Sequence, residues 1–253
     1  MITIIGTGHV FDIGRPVMVL IKNIWPQAVL VELDVTRYNM MTAEKAENER
    51  RAAAGEEPLE PKKEDEPWIY RRAAKYQSKM AEDHRTNVGG ELLVAVNTGK
   101  LIGAEIGFID TDAHNAMKEM WEEMPFREKA RYALSTYTDN VRGKKGADKV
   151  AEDFGKNEEK MMADMRRRYP TLVRKLIDER NDHMAEQIRK YAERLDNIVV
   201  VCGDAHVEGI AERLSDLETK KVRLMDLTDQ RRLNEIFEFA WNHEADNHGG
   251  ENQ

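Results

Sequence analysis

The sequence predicts an α/β fold, a mostly parallel sheet with helices on both faces and a helical insertion or arm. Three observations predict it. Four short runs rich in Ile and Val, Ile2 to Ile5, Ala28 to Leu33, Glu105 to Ile109 and Ile198 to Cys202, are bounded by Gly, Asn or Asp and read as buried strands. Stretches with helical spacing lie between them, such as Pro16 to Trp25, Gly89 to Ile102 and Thr171 to Leu195. Strand and helix therefore alternate, as they do in a sheet covered by crossover helices. A fifth, weaker strand is expected at Val222 to Met225.

Length and composition agree with one domain over 1–242 carrying insertions. The 253 residues are 41% hydrophobic and 34% charged, enough to bury a core while leaving much solvated helix surface. Residues 43–67 hold three prolines and almost no large apolar side chain, so they read as an exposed helix followed by a mobile loop, either a lid over a site or a solvated insertion. Residues 112–168 are helical by composition and read as an excursion from the sheet whose Met and Trp positions serve packing or a homodimer contact. Residues 243–253 read as a flexible tail.

Several function classes fall away. A net charge of −8 argues against a nucleic-acid partner, which calls for a basic face. No apolar run approaches the roughly 20 residues that span a bilayer, and the first residues lack a basic leader, so neither a membrane nor secretion is expected. Cys202 is the only cysteine, which excludes a Cys-rich zinc module and fits a reducing, cytoplasmic setting. Phosphate-cradling, dinucleotide and serine-elbow motifs are absent.

The chemistry concentrates at the strand ends. The first strand runs into Gly6-Thr7-Gly8-His9 and the fourth into Gly203-Asp204-Ala205-His206, two Gly-x-x-His motifs in the same context. Ligands of open α/β sheets bind at the carboxyl ends of the strands, and two imidazoles delivered there by neighbouring strands could share one metal ion; each could equally be a loop or capping residue. The second strand ends in Glu32-Leu33-Asp34, with both carboxylates sent to one side, and a buried carboxylate must be paired, hydrogen-bonded or coordinated. The third ends in Asp110-Thr111-Asp112, where Asp112 reads as a helix N-cap. On the long helix, Arg180 falls within the apolar stripe that includes Val173, Leu176, Ile177 and Met184. Its guanidinium needs either a structural carboxylate, Glu32 or Glu91 being candidates, or an anionic ligand. On the stripe argument alone, leucine at 180 suits the core side and could raise thermal stability.

These residues in this order resemble the TraB/PrgY family, related to the TIKI and erythromycin-esterase-like proteins. The resemblance runs through Gly6-Thr7-Gly8-His9-Val10, Pro26, Val31-Glu32-Leu33-Asp34, Arg37, Gly90-Glu91, Ile109-Asp110, Glu179-Arg180-Asn181, Met184-Ala185 and Val201 to Ile210. It implies a site assembled from the two Gly-x-x-His motifs, the early glutamate and the late arginine. TIKI relatives are metal-dependent proteases and PrgY-like members reduce the activity of peptide pheromones. This chain has Thr111 where the family often has arginine, and it lacks the hydrophobic C-terminal segment of many relatives, so membrane-linked pheromone control is not expected.

The resulting expectation is a metal-dependent hydrolase acting on a peptide or small-molecule substrate. His9 and His206 would hold a divalent ion (Mn, Co or Zn), with Glu32 as third ligand or base. Arg180 would hold a substrate carboxylate or oxyanion, and Arg37 and Glu91 would support these groups. The rival expectations are a protein that sequesters a peptide without turnover, and metal-independent, esterase-like hydrolysis with a histidine base oriented by Glu32.

Overall fold

In a computed structural model, residues 1–8, 13–57, 59, 89–132, 160–229 and 231–235 are described. Five strands, β1 (Ile2–Thr7), β2 (Ala28–Val31), β3 (Glu105–Phe108), β4 (Ile198–Gly203) and β5 (Thr219–Val222), form one sheet in the order β3-β2-β4-β1-β5. Every pairing is parallel. The fifth strand lies earlier than the apolar run Val222 to Met225, because it is an edge strand. Its middle residues are Lys220 and Lys221, both exposed, and lysine on an edge discourages further pairing at the expense of any apolar signature.

Residue parity divides the core. Odd-numbered residues such as Ile5, Val29, Val31, Val199 and Val201 face one side, against α1 (Gly14–Ile24) and α3 (Gly90–Leu101). Even-numbered residues such as Ile4, Leu30, Val200 and Cys202 face the other, against α6 (Glu179–Ala192) and α7 (Asp204–Arg213). Helices therefore cover both faces, and strands buried on both sides read as unbroken Ile/Val runs.

The arm α2 (Val35–Ala54) buries none of its side chains and ends at Gly55 in the left-handed region, φ 72°. It supplies the exposed helix expected within 43–67; residues 58 and 60–67 lie outside the described residues, as do 243–253. The helical excursion begins with α4 (Ala113–Glu123), N-capped by Asp112 as its sequence position predicts, and residues 126–132 and 160–168 are also helical. Residues 133–159 lie outside the described residues. Met120 and Met124 are buried, so these two methionines serve packing. Buried Glu128 accepts hydrogen bonds from the backbone N–H of Thr171 (3.0 Å) and Leu172 (3.3 Å), which caps α5 (Pro170–Val173) and ties the excursion to the body. No described helix is long and apolar enough to cross a membrane.

The long helix expected over Thr171 to Leu195 is interrupted. A π-helical turn, Arg174–Asp178, separates α5 from α6 and shifts the helix phase, so Lys175 is buried while Leu176 and Ile177 are only half-buried. The amine of Lys175 pairs with Glu119 (3.2 Å), Glu123 (2.9 Å) and Glu179 (3.0 Å), anchoring the turn to α4.

Candidate functional site

Because all five strands are parallel, their carboxyl ends share one edge, and the helices that precede β3 and β4 begin there. β1 and β4 are neighbours with Thr7 opposite Gly203, so the first residues of the two Gly-x-x-His motifs, Gly6-Thr7 and Gly203, lie on adjacent strands. Gly6 allows this closeness. A Cβ there would lie 2.0 Å from Asp204 Oδ1, where Asp204 is fixed by Arg223 Nε (3.1 Å), Arg223 Nη2 (2.8 Å) and the Leu224 N–H (2.7 Å). β4 passes directly into α7, which places His206 in its first turn, buried. His9 lies outside the described residues.

Glu32 follows β2 on the even-numbered side, beneath α6 and α7. Its Oε2 accepts the Gly203 N–H at 2.6 Å, and its Oε1 lies 3.3 Å from His206 Nε2 and against Arg180 Nη2. Burial opposes the charge of Glu32, but His206, Arg180 and the Gly203 N–H outweigh it and hold the carboxyl well below its usual range. Arg180 also meets Asp110 in a two-pronged pair, Nε to Oδ1 at 2.9 Å and Nη2 to Oδ2 at 2.7 Å, and the Asp110 side chain is fully buried. Nη1 donates to the Leu176 carbonyl at 3.2 Å and faces His206 Nε2 at 3.4 Å. All five N–H donors of the guanidinium are thus directed at protein atoms. Burial works against the Arg180 charge, and Glu32 and Asp110 more than offset it, raising its pKa.

The remaining sequence candidates sit apart from this cluster. Glu91 is buried in the first turn of α3, on the opposite face of the sheet, where Thr7 Oγ1 donates to it at 3.5 Å. Arg37 lies in the first turn of α2, whose N-cap is Asp34: its Oδ1 accepts the Arg37 N–H at 2.9 Å. The half-buried Arg37 side chain reaches the start of α3, with Nη2 4.0 Å from where a Cβ on Gly89 would be. Two residues that motif reasoning left without a role join the cluster. Asp110 has the same signal as Glu32, a carboxylate at the end of a strand. Asn181, whose Oδ1 lies 2.7 Å from His206 Nδ1, shares its helix with Arg180 and gives no sequence signal of its own.

The sequence profile of the TraB/PrgY/gumN family matches residues 1–224, from the first strand to just past the last. The chain belongs to the TraB/PrgY/gumN family. An uncharacterized protein of Methanocaldococcus jannaschii is 28% identical over 228 residues, a match that covers 89% of this chain and 56% of that protein. The chain therefore spans about half the length of the curated relative it matches. The matched span contains every residue of the Glu32, Asp110, Arg180, Asn181 and His206 cluster.

The cluster can be weighed as a metal centre from its donors. Two ligands each about 2.1 Å from a tetrahedral ion lie roughly 3.4 Å apart, and His206 Nε2 and Glu32 Oε1 are 3.3 Å apart. A ring nitrogen on the far side held by an amide oxygen is also the arrangement that metal-binding histidines adopt. These two donors fit. Among the described residues no third His, Cys, Asp or Glu completes the set, and His9 is not among those residues.

Proposed function

We propose that this chain is a hydrolase of peptide or amide bonds whose reaction takes place at the carboxyl edge of the sheet, with His206, Glu32 and His9 as the residues that would hold a divalent ion. The observation that carries the reading is the buried pair of His206 Nε2 and Glu32 Oε1, spaced for one ion at the ends of adjacent strands. When bound, such an ion supplies a water of near-neutral pKa and an electrophile for the scissile carbonyl. Glu32 suits the role of ligand better than that of base. Its carboxyl is held below the usual range, so it stays ionised and accepts a proton poorly. Arg180, with its donors spent on Glu32, Asp110, Leu176 and His206, orients these groups rather than gripping a substrate carboxylate. Glu91 and Arg37 support the edge from the other face and from the arm.

One observation favours a second reading, metal-independent hydrolysis with His206 as base. Arg180 presents Nη1 to His206 Nε2 and Nη2 to Glu32 Oε1, the same two atoms, so a guanidinium already supplies the positive charge that a metal would bring. Turnover of a peptide library by the purified protein, before and after chelation, separates the readings. Activity lost on chelation and restored by Mn²⁺, Co²⁺ or Zn²⁺, together with stoichiometric metal in the untreated protein, supports the metal enzyme. Activity that survives chelation but is lost in His206→Ala supports the second reading. Peptide binding without turnover under both conditions overturns both in favour of sequestration.

A further inference from the structure

We propose that Asn181 is a positioning residue that fixes the ring proton of His206 on Nδ1, leaving Nε2 bare toward Glu32 and Arg180, and that Gly209 provides the space in which the amide does so. Three observations combine. His206 Nδ1 faces Asn181 Oδ1 at 2.7 Å, and an amide oxygen can only accept, so the nitrogen there carries the proton. At the other end of the ring, Nη1 of Arg180 faces Nε2 at 3.4 Å, and a guanidinium N–H can only donate. In the neutral ring, Nε2 and Glu32 Oε1, 3.3 Å apart, are then two acceptors bridged by the two NH₂ groups of one arginine; on the protonated ring Nε2 donates to Glu32 instead, the form in which His206 helps to hold the Glu32 carboxyl down.

Gly209 is the third observation. It lies within α7, where alanine would be the better helix former. A Cβ at that position would stand 2.2 Å from Asn181 Nδ2 and 3.1 Å from its Cγ. The glycine is explained by the approach of α6, which brings the amide against α7 and under the imidazole. Asn181 is 1% exposed, so its oxygen is withdrawn from bulk water.

The functional consequence rests on the reading of His206 as a metal ligand or base, since either role needs an unprotonated Nε2. The placement of the proton does not rest on it. The test is nitrogen NMR of the His206 ring in the full-length, metal-free protein at alkaline pH, which distinguishes Nδ1–H from Nε2–H directly, beside a Zn²⁺ titration of the same samples. The wild type is expected in the Nδ1–H form. Asn181→Asp, which keeps an oxygen in place, retains it. Asn181→Leu removes the acceptor and Gly209→Ala displaces it; both shift His206 toward Nε2–H and weaken Zn²⁺ binding by about 10- to 100-fold. Gly209→Ala keeps the proposal testable if Asn181→Leu does not fold, because it improves helix propensity and leaves the histidine untouched. An Nε2–H wild type, or an unchanged tautomer in Gly209→Ala, overturns the proposal. The expected tautomers with no Zn²⁺ binding by the wild type uphold it and count against the metal reading alone.

Discussion

Two arginine–glutamate contacts in this molecule look alike and behave differently. On the exposed arm α2, Arg50 donates from Nε and Nη2 to Glu47 at 2.9 and 2.8 Å, and these hydrogen bonds draw the Glu47 carboxyl down to about 2. At the sheet edge, Arg180 meets Glu32 and Asp110 and the Glu32 carboxyl is also pulled down. The side chains of the first pair are 57% and 36% exposed, those of the second 12% and 8%. A broken surface pair returns both partners to water. A broken buried pair strands a charge where nothing else solvates it, so its removal is costly even when its formation gained little. The pKa direction is the same in both regions; burial decides what it means for the protein.

The largest effect that this contrast predicts is at Arg180. Arg180→Leu leaves both Glu32 and Asp110 buried without a counter-ion, and the free energy of unfolding in urea should fall by about 3–5 kcal/mol. The expectation drawn from the apolar stripe, that leucine suits this position and could raise stability, gives way here: the stripe ignores the two carboxylates that the strands deliver beneath it. Arg180→Lys keeps a charge but offers three donors in place of a five-donor fork, so it should fall between the two. A leucine variant as stable as wild type would break the comparison.

That reversal marks where the sequence stops being informative. The central strands were legible because burial on both faces writes itself as an unbroken run such as Ile198 to Cys202, and Asp112 was legible because a cap follows local rules. Glu32 and Arg180 were each recognisable as groups in need of a partner. Glu32 was one of the two carboxylates expected to pair with Arg180, and it does; the other partners were not legible, since Asp110 reaches Arg180 across 70 positions and Asn181 reaches His206 across 25. The π-turn at Arg174–Asp178 erased the simple periodicity of its helix, and no residue type announces it. The edge strand β5 was misplaced because its lysines carry the wrong period for a core strand. Local chemistry could be read; of the long-range pairs only Arg180 with Glu32 was among the expectations.

A smaller effect sharpens the contrast through pH. The folded-state pKa of Glu32 is lowered from 4.5, so the unfolded chain binds its proton more readily than the folded one. The stability this contributes is fully present above about pH 4.5 and is lost as pH falls through the lower folded value. In Glu32→Gln that part of the acid slope disappears, and stability near neutral pH should drop by about 1.5–3 kcal/mol, less than for Arg180→Leu, because Arg180 keeps Asp110. Urea midpoints between pH 3 and 6 measure both quantities. Parallel pH profiles for wild type and variant would show that the Glu32 carboxylate gains nothing from its neighbours.

The smallest expected effect is at Glu47, and it tests whether exposure is the deciding variable. Glu47 shares with Glu32 a lowered carboxyl and a two-donor arginine, so an account based on hydrogen-bond geometry alone predicts a comparable loss in Glu47→Gln. Exposure predicts otherwise. Water replaces the lost contact on the variant, Arg50 keeps Glu56 within reach at 3.4 Å, and salt screens what charge interaction remains. The urea midpoint of Glu47→Gln should therefore match that of wild type at every pH where the fold persists, and added salt should leave the two together. A midpoint shift approaching that of Glu32→Gln would mean that α2 is packed against something in solution, since only desolvation converts so ordinary a surface pair into a stabilising one.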